Sequence, residues 1–344
     1  MYHIEREIAE QPAVIKRLLE EGAPIARKIA AAIRNFDPQF VMIAARGTSD
    51  NAGRYAQYLM GIHARLPVAL AAPSIHTLYE VAPRLQRALV IGISQSGQSE
   101  DVRRVIADGR QQGALTVSIT NDASSPIANA AEFHMPLLAG EEVSVAATKS
   151  YTAQLAAIAL LTTHLVDKAE LTSQIQEVPQ YATETLDHAA AVDGWAERYR
   201  YMNDFASLGR SYNYCTAFEV SLKIKELCYV TGVEYSEADF RHGPIALVQA
   251  GFPVLVTVPD GKAAPGMIDL IGKLRERQAE CLVISNREDA LALAQKPMRI
   301  PMMPEWLSPL CAVIPGQRFA MALALAKGHS VDKPIGLTKV TVTI

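Results

Sequence analysis

Ile91-Gly92-Ile93-Ser94-Gln95-Ser96-Gly97-Gln98-Ser99-Glu100-Asp101 decides how the rest of the chain is read. The apolar run Ala88 to Ile93 has the character of a buried strand. From Glu100 to Gln112, Val102, Val105 and Ile106 recur at helical spacing. Between strand and helix lie three serines, two glutamines and a glycine. Such a loop offers hydroxyls, side-chain amides and unpaired backbone N–H groups at the positive end of a helix dipole. An anion fits there, phosphate best. No Lys or Arg falls between Ile91 and Val102, so binding would rest on neutral donors. The plain alternative is a Ser-rich N-cap. The Gly-Lys-Ser/Thr ending of a P-loop is missing, and so is GxGxxG.

The 344 residues suffice for two domains or one large one. Apolar residues make up 49% and charged residues 20%, enough for full cores. A net charge of −3 gives no reason to expect nucleic acid. Cys215, Cys228, Cys281 and Cys311 form no CxxC pair, which argues against a zinc site or a disulfide framework. Reduced thiols and a cytoplasmic location follow. Met1 to Glu10 lacks an apolar signal core, and Leu155 to Leu165 is too short to span a bilayer, so no membrane is expected.

Outward from the loop, strand and helix signals alternate. Residues 3–34 read as two helices broken near Gly22-Ala23-Pro24, an amphipathic arm. Strands are expected at Phe40–Ala45, Pro67–Ala72, Ala88–Ile93, Leu115–Thr120 and, at an edge, Glu132–Leu137, with a helix at Asn51–His63. Alternation of this kind implies a parallel sheet with helices on both faces. Ligands bind such sheets at the carboxyl ends of strands. Gly47-Thr48-Ser49 and Ser94-Gln95-Ser96 both follow strands and can share one crevice.

After a helical stretch from Ser150 to about Tyr201 the pattern starts again. Phe205 to Ser211 resembles Met42 to Thr48, and Phe252–Val258, Cys281–Ser285 and Met298–Met302 read as strands. The helix Pro309–Lys327 matches Lys149–Leu165. This is a duplication with a period of roughly 165 residues, well beyond solenoid periods of ~20–50. The second copy has Pro259-Asp260-Gly261-Lys262 in place of the Ser loop, so one anion site per pair is expected. The expected fold is α/β: two tandem doubly wound parallel-sheet domains, flavodoxin-like, behind an N-terminal helical arm. The arm covers 1–34, the first domain 35–170, a helical linker 171–200, the second domain 201–330 and a tail 331–344 that completes the site.

Glu219, Lys223 and Glu226 fall at i, i+4 and i+7 of one helix and share a face; Lys225 points elsewhere. For an arbitrary helix this is a surface salt-bridge ladder. Read together with Arg-Gly-Thr-Ser (46–49), Ile-Ser-Gln-Ser-Gly (93–97), Val-Ala-Ala-Thr-Lys-Ser (145–150), Arg-His-Gly-Pro (241–244), Asp-Lys-Pro (332–334) and Leu-Thr-Lys-Val-Thr (337–341), it acquires another meaning. In this order the motifs resemble the sugar isomerase (SIS) domain family over nearly the whole chain. The chain looks most like the isomerase half of glutamine–fructose-6-phosphate amidotransferase and the SIS-type glucosamine-6-phosphate deaminases.

The resemblance implies roles. Ser94, Gln95, Ser96 and Ser99, with Thr48, would hold the phosphate of a hexose or hexosamine 6-phosphate. Gly47, Ser49, Val145 and Ala147 would line the sugar site. Glu226 would be the general base between C1 and C2, supported by Glu219 and Lys223. His242 would open the sugar ring, lent by the partner in a homodimer, and Lys339 would attack an open-chain ketose to form a Schiff base. Neither cofactor nor metal is implied. Arg46 departs from the amidotransferases' usual Cys, and Ala147 from their Ser. These roles suit a pocket-tuned carboxylate, an imidazole near neutral pH and a deprotonated amine.

The chain reaches its first expected strand by about residue 40, which leaves no room for a glutaminase domain, so ammonia chemistry without glutamine is expected. The reaction expected first is glucosamine 6-phosphate to fructose 6-phosphate plus ammonia. An aldose–ketose isomerase, or a deaminase of another amino-sugar phosphate, is the nearest alternative. A non-catalytic sugar-phosphate sensor is the other class. It is disfavoured because the chain has no helix-turn-helix or basic stretch, and because a sensor needs only the phosphate loop.

Overall fold

The computed structural model describes residues 1–339. Residues 340–344, which include Val340 and Thr341 of the last motif and end the expected tail, lie outside the described residues. The chain divides into two units. The first unit comprises Ala13–Glu142 and Lys149–Glu177, with Thr338 and Lys339. The second comprises Met1–Pro12, Val143–Thr148 and Val178–Leu337.

The first unit holds β1 (Phe40–Ala44), β2 (Val68–Leu70), β3 (Ala88–Ser94), β4 (Leu115–Thr120) and β5 (Phe133–Pro136) in the order β2-β1-β3-β4-β5. Every pair is parallel. All seven residues of β3 and all six of β4 are buried, as a strand covered on both sides requires. The hydroxyls of β4 are not wasted there: Ser118 donates to the Phe133 carbonyl, and Thr116 accepts from the Glu132 N–H. Helix Glu100–Gln111 lays Val102, Val105 and Ile106 against Ala88 and Val90. Each such side chain stabilises the fold by about 1.5–3 kcal/mol.

The second unit holds β6 (Asp204–Gly209), β7 (Thr231–Ser236), β8 (Pro253–Thr257), β9 (Glu280–Ser285) and β10 (Lys296–Arg299), ordered β10-β9-β8-β6-β7 and again all parallel. Each sheet thus has the chain order 2-1-3-4-5, whose switch point lies between the first and third strands. Strands β1 and β6, helices Pro73–Thr77 and Glu237–Arg241, and helices Glu100–Gln111 and Ala264–Glu276 each begin 164 residues apart. That register pairs Arg46 with Arg210 and Gly47 with Ser211, whose φ angles of 52° and 57° agree. The register read from sequence, Met42 against Phe205, is therefore one residue out.

Other boundaries also differ. The arm is three helices, His3–Ala9, Gln11–Glu21 and Ala23–Phe36, and it divides between the units after Pro12. Pro12 sits in the first turn of its helix, where a missing N–H costs nothing. The Asn51–His63 helix is an α-helix at Thr48–Leu59 followed by a π-helical turn at Met60–Ala64. Strand β10 lies two residues earlier than expected, and β7 was not expected at all.

One long apolar helix lies in each unit. In the first, Ala23–Phe36 and Thr48–Leu59 pack on Lys149–Val166. In the second, Tyr214–Cys228 packs on Ser308–Ala326. A Cβ at Gly316 would stand 2.3 Å from Val220, so glycine there permits the close approach that seats the Glu219-bearing helix. The stretch Glu305–Ala326 is long and apolar enough to cross a membrane, but most of it is buried within the second unit as a core helix.

Candidate functional site

In the first unit the Ser loop joins β3 to helix Glu100–Gln111 at the sheet's switch point, and Arg46-Gly47-Thr48 follows the neighbouring β1. Ser94 is buried and its Oγ accepts the Gly97 N–H at 3.1 Å. The Gln98 N–H reaches Ser96 Oγ at 3.3 Å. Gly97 has φ +67°, and a Cβ on it would lie 2.2 Å from Ser125 Oγ, so the turn requires glycine. Ser99 is the N-cap residue, yet its side chain makes no capping bond. The Ser-rich-cap alternative would use that hydroxyl; here it is not spent. Gln95, Ser96 and Ser99 are half-buried.

Acids crowd the same helix end. Asp101 is completely buried; its Oδ1 accepts the Val102 N–H at 2.8 Å and its Oδ2 accepts Arg46 Nε at 2.6 Å. Arg103 pairs with Glu100 and holds its carboxyl below the usual range. Beside Gly47 lies a cavity of about 310 Å³ lined by Arg46, Asp50, Arg54 and Leu70. Burial pushes the Asp50 carboxyl up, with Arg54 and Arg46 opposing.

Two other expected residues of this unit have defined surroundings. Ser49 is buried and its Oγ accepts Gln154 Nε2 at 2.9 Å, which ties the β1 turn to the long apolar helix rather than presenting the hydroxyl. Lys339 is not a solvated tail residue: its Nζ lies 2.8 Å from Glu142 Oε2, and it is 25% exposed. Glu142 is buried and also accepts the Ser150 N–H at 3.0 Å and Ser150 Oγ at 2.7 Å. It thus anchors both Lys339 and the first turn of helix Lys149–Val166. Sequence reasoning missed Glu142; one acid in Gly140-Glu141-Glu142 carries no periodic signal.

In the second unit the shared face of Glu219, Lys223 and Glu226 lies on helix Tyr214–Cys228. It is no surface ladder. Glu219 is 0% and Lys223 1% exposed, while Glu226 is 24% exposed. Lys223 Nζ lies 2.6 Å from Glu226 Oε2 and 3.5 Å from Glu219 Oε1. Lys225 turns away to pair with Glu234 on β7. A buried ammonium therefore grips one oxygen of Glu226 and fixes the orientation of the other.

His242 ends helix Glu237–Arg241, is exposed, and donates its backbone N–H to the Asp239 carbonyl. The turn is fastened beside it, because Arg241 pairs with Glu237 and Asp269 and donates to the Gly266 carbonyl. Val145 and Ala147 are half-buried in a segment fastened at several points. The Val145 N–H donates to the Asp332 carbonyl, Glu7 accepts from Val143 and Ser144, and Gln317 Nε2 donates to the Thr148 carbonyl. Asp332 in turn accepts the His3 and Ile4 N–H groups, which gives the Asp-Lys-Pro motif a fastening role.

The second unit's counterpart of the Ser loop is closed by its own carboxylates. Asp260 pairs with Arg287, Glu305 accepts the Lys262 N–H, and a Cβ on Gly261 would lie 2.2 Å from the Glu305 carboxyl carbon. All four cysteines are buried thiols outside any disulfide, and burial pushes the Cys228, Cys281 and Cys311 thiols up to about 12. Among the described residues no group of three or more His, Cys, Asp or Glu side chains is placed to hold a metal ion.

Comparison with known proteins agrees with this architecture. Glutamine–fructose-6-phosphate aminotransferase [isomerizing] of Aquifex aeolicus is 32% identical over 342 residues, which is 98% of this chain and 57% of that protein. The Pyrococcus horikoshii enzyme of the same name is 32% identical over 97% of this chain and 56% of its own length. The chain thus spans just over half the length of these relatives. Among solved structures, the C-terminal domain of the Francisella tularensis glucosamine-fructose-6-phosphate aminotransferase superposes with a TM-score of 0.87 at 22% identity, covering 97% of this chain and 98% of that one. Glucosamine-6-phosphate deaminase of Thermotoga maritima superposes at 0.84 and 22% identity, covering 99% and 100%. Both show the shared fold. The SIS domain pattern matches residues 37–164 and again 205–327, and the chain belongs to the SIS domain family, with two such domains in tandem.

Proposed function

We propose that this protein is a phosphosugar isomerase that deaminates an amino-sugar phosphate, converting glucosamine 6-phosphate to fructose 6-phosphate and ammonia. The observation that carries the reading is Glu226, one oxygen gripped by a fully buried lysine and the carboxylate otherwise partly open. A carboxylate so oriented can take a proton from carbon next to a carbonyl. The Ser loop holds the phosphate through hydroxyls and N–H groups, and so orients the end of the substrate that does not react. His242 passes a proton to the ring oxygen as the sugar opens. Glu226 removes the C2 proton of the open-chain aldehyde, and the electron pair moves through C1 to the carbonyl oxygen, which is protonated. Return of a proton to C1 leaves a protonated imine at C2. Water adds at C2 and ammonia leaves, giving the ketose.

A second reading, aldose–ketose isomerisation of a hexose 6-phosphate, is favoured by one observation. Lys339 Nζ is engaged by the Glu142 carboxylate. That contact holds the amine away from the Schiff base that the resemblance assigns to it in amino-sugar chemistry, and aldose–ketose isomerisation forms no Schiff base. Both readings use Glu226. A panel of amino-sugar 6-phosphates assayed for ammonia, with hydrogen exchange at C2 of hexose 6-phosphates in deuterated water, separates them. Ammonia release supports the deaminase, exchange without ammonia supports the isomerase, and neither activity refutes both in favour of a sensor.

A further inference from the structure

The Ser loop carries no cation, and the helix behind it opens with two acids. Acids at a helix N-terminus are ordinarily stabilising. Here they compete with a bound anion for the same positive helix end. Glu100 is half-exposed and paired with Arg103, so water and that guanidinium screen it. Asp101 is different: it is 0% exposed, sits two residues past Ser99, and has no water to screen it. Its charge partner comes from the other side of the switch point, since Arg46 Nε lies 2.6 Å from Asp101 Oδ2. Arg46 belongs to the turn after β1, and its carbonyl accepts the Ser49 N–H at 3.0 Å.

The pair is specific to the unit that keeps the Ser loop. At the 164-residue offset Arg210 stands for Arg46, but Pro265 stands for Asp101. Arg210 instead turns to Glu237, beyond β7, at 3.4 Å. The arginine is thus present in both copies, whereas its bond across the switch point occurs only where the serines are.

We propose that Arg46 is a positioning residue for anion binding: it cancels the buried Asp101 charge behind the Ser loop and ties the Gly47-Thr48 turn to the helix whose N-terminus receives the phosphate. This rests on reading the Ser loop as the phosphate site. Unopposed, a carboxylate one helical turn from a phosphate repels it strongly at the low effective dielectric of a partly buried site.

The test measures inorganic phosphate binding by calorimetry for the wild type, Arg46→Gln, Asp101→Asn and the double variant, with Tm recorded for each. Arg46→Gln weakens phosphate by about tenfold or more. Adding Asp101→Asn, which removes the uncompensated charge, recovers affinity to within about threefold of wild type. A brace without an electrostatic role would not be rescued this way, because the double variant lacks both ends of the brace. Phosphate affinity of Arg46→Gln equal to wild type, or a double variant as weak as Arg46→Gln with unchanged Tm, overturns the proposal. Absence of binding by the wild type refutes the phosphate-loop reading itself, a distinguishable result.

Discussion

Replacing Lys223 by Met tests the buried core of the helix that carries Glu219, Lys223 and Glu226 without a substrate. Lys223 and Glu219 are 1% and 0% exposed, and Lys223 Nζ is 3.5 Å from Glu219 and 2.6 Å from Glu226. Removing the ammonium leaves the Glu219 carboxylate in a place water does not reach. Breaking a buried pair from one side costs about 3–5 kcal/mol. Against a typical total of about 5–15 kcal/mol, that is a large share. Methionine keeps nearly the volume of the side chain, so the loss is electrostatic rather than a cavity. Adding Glu219→Gln removes the buried charge that has lost its ammonium and recovers most of the loss. Urea unfolding followed by circular dichroism measures both variants. A loss below about 1 kcal/mol in Lys223→Met, or a double variant no more stable than the single one, refutes the buried-pair account.

Three further outcomes are expected. Ser96→Ala raises KM for a phosphorylated substrate by about ten- to a hundredfold, since a hydrogen bond to a charged group contributes about 1.5–3 kcal/mol; an unchanged KM contradicts the loop assignment. The first unit loses stability in acid: burial holds His63, His134 and His164 below the ordinary 6.5, so the unfolded chain takes up their protons first. Their contribution is complete above about pH 6.5 and is lost as pH falls from there through the folded-state values; a urea midpoint that rises between pH 7 and 5.5 contradicts this. Mixing His242→Ala with Glu226→Gln subunits restores part of the activity if the histidine is lent by a partner in a homodimer; no recovery despite proven subunit exchange places both roles in one chain.

Much of the fold was legible because buried parallel strands are runs of apolar residues. Ala88 to Ile93 and Leu115 to Thr120 could hardly be anything else, and the duplication then supplied the second sheet. What the residues did not disclose lies at edges. Strand β7, Thr-Gly-Val-Glu-Tyr-Ser, is half-exposed, carries a glycine and a glutamate, and is a strand because β6 pairs with it. Strand β10 slipped for the same reason, its apolar run continuing past the strand into Ile300 and Met303, which are buried beyond its last residue, Arg299. In the site, spacing put Glu219, Lys223 and Glu226 on one face, but spacing cannot distinguish a solvated ladder from a buried one. That difference is tertiary, made by the Ser308–Ala326 helix packing close at Gly316. Ser49 shows the reverse limit: its motif suggested a ligand group, and Gln154, remote in sequence, claims its hydroxyl.

The most direct measurement of the central claim is turnover by Glu226→Gln on the substrate the wild type accepts. The swap keeps the side chain's size and its hold on Lys223 while removing the basic oxygen. General base catalysis contributes about 10²–10⁴-fold, so kcat falls by that factor, KM changes little, and hydrogen exchange at C2 in deuterated water falls in parallel. A Glu226→Gln protein that folds normally and turns over within a few-fold of wild type contradicts the account.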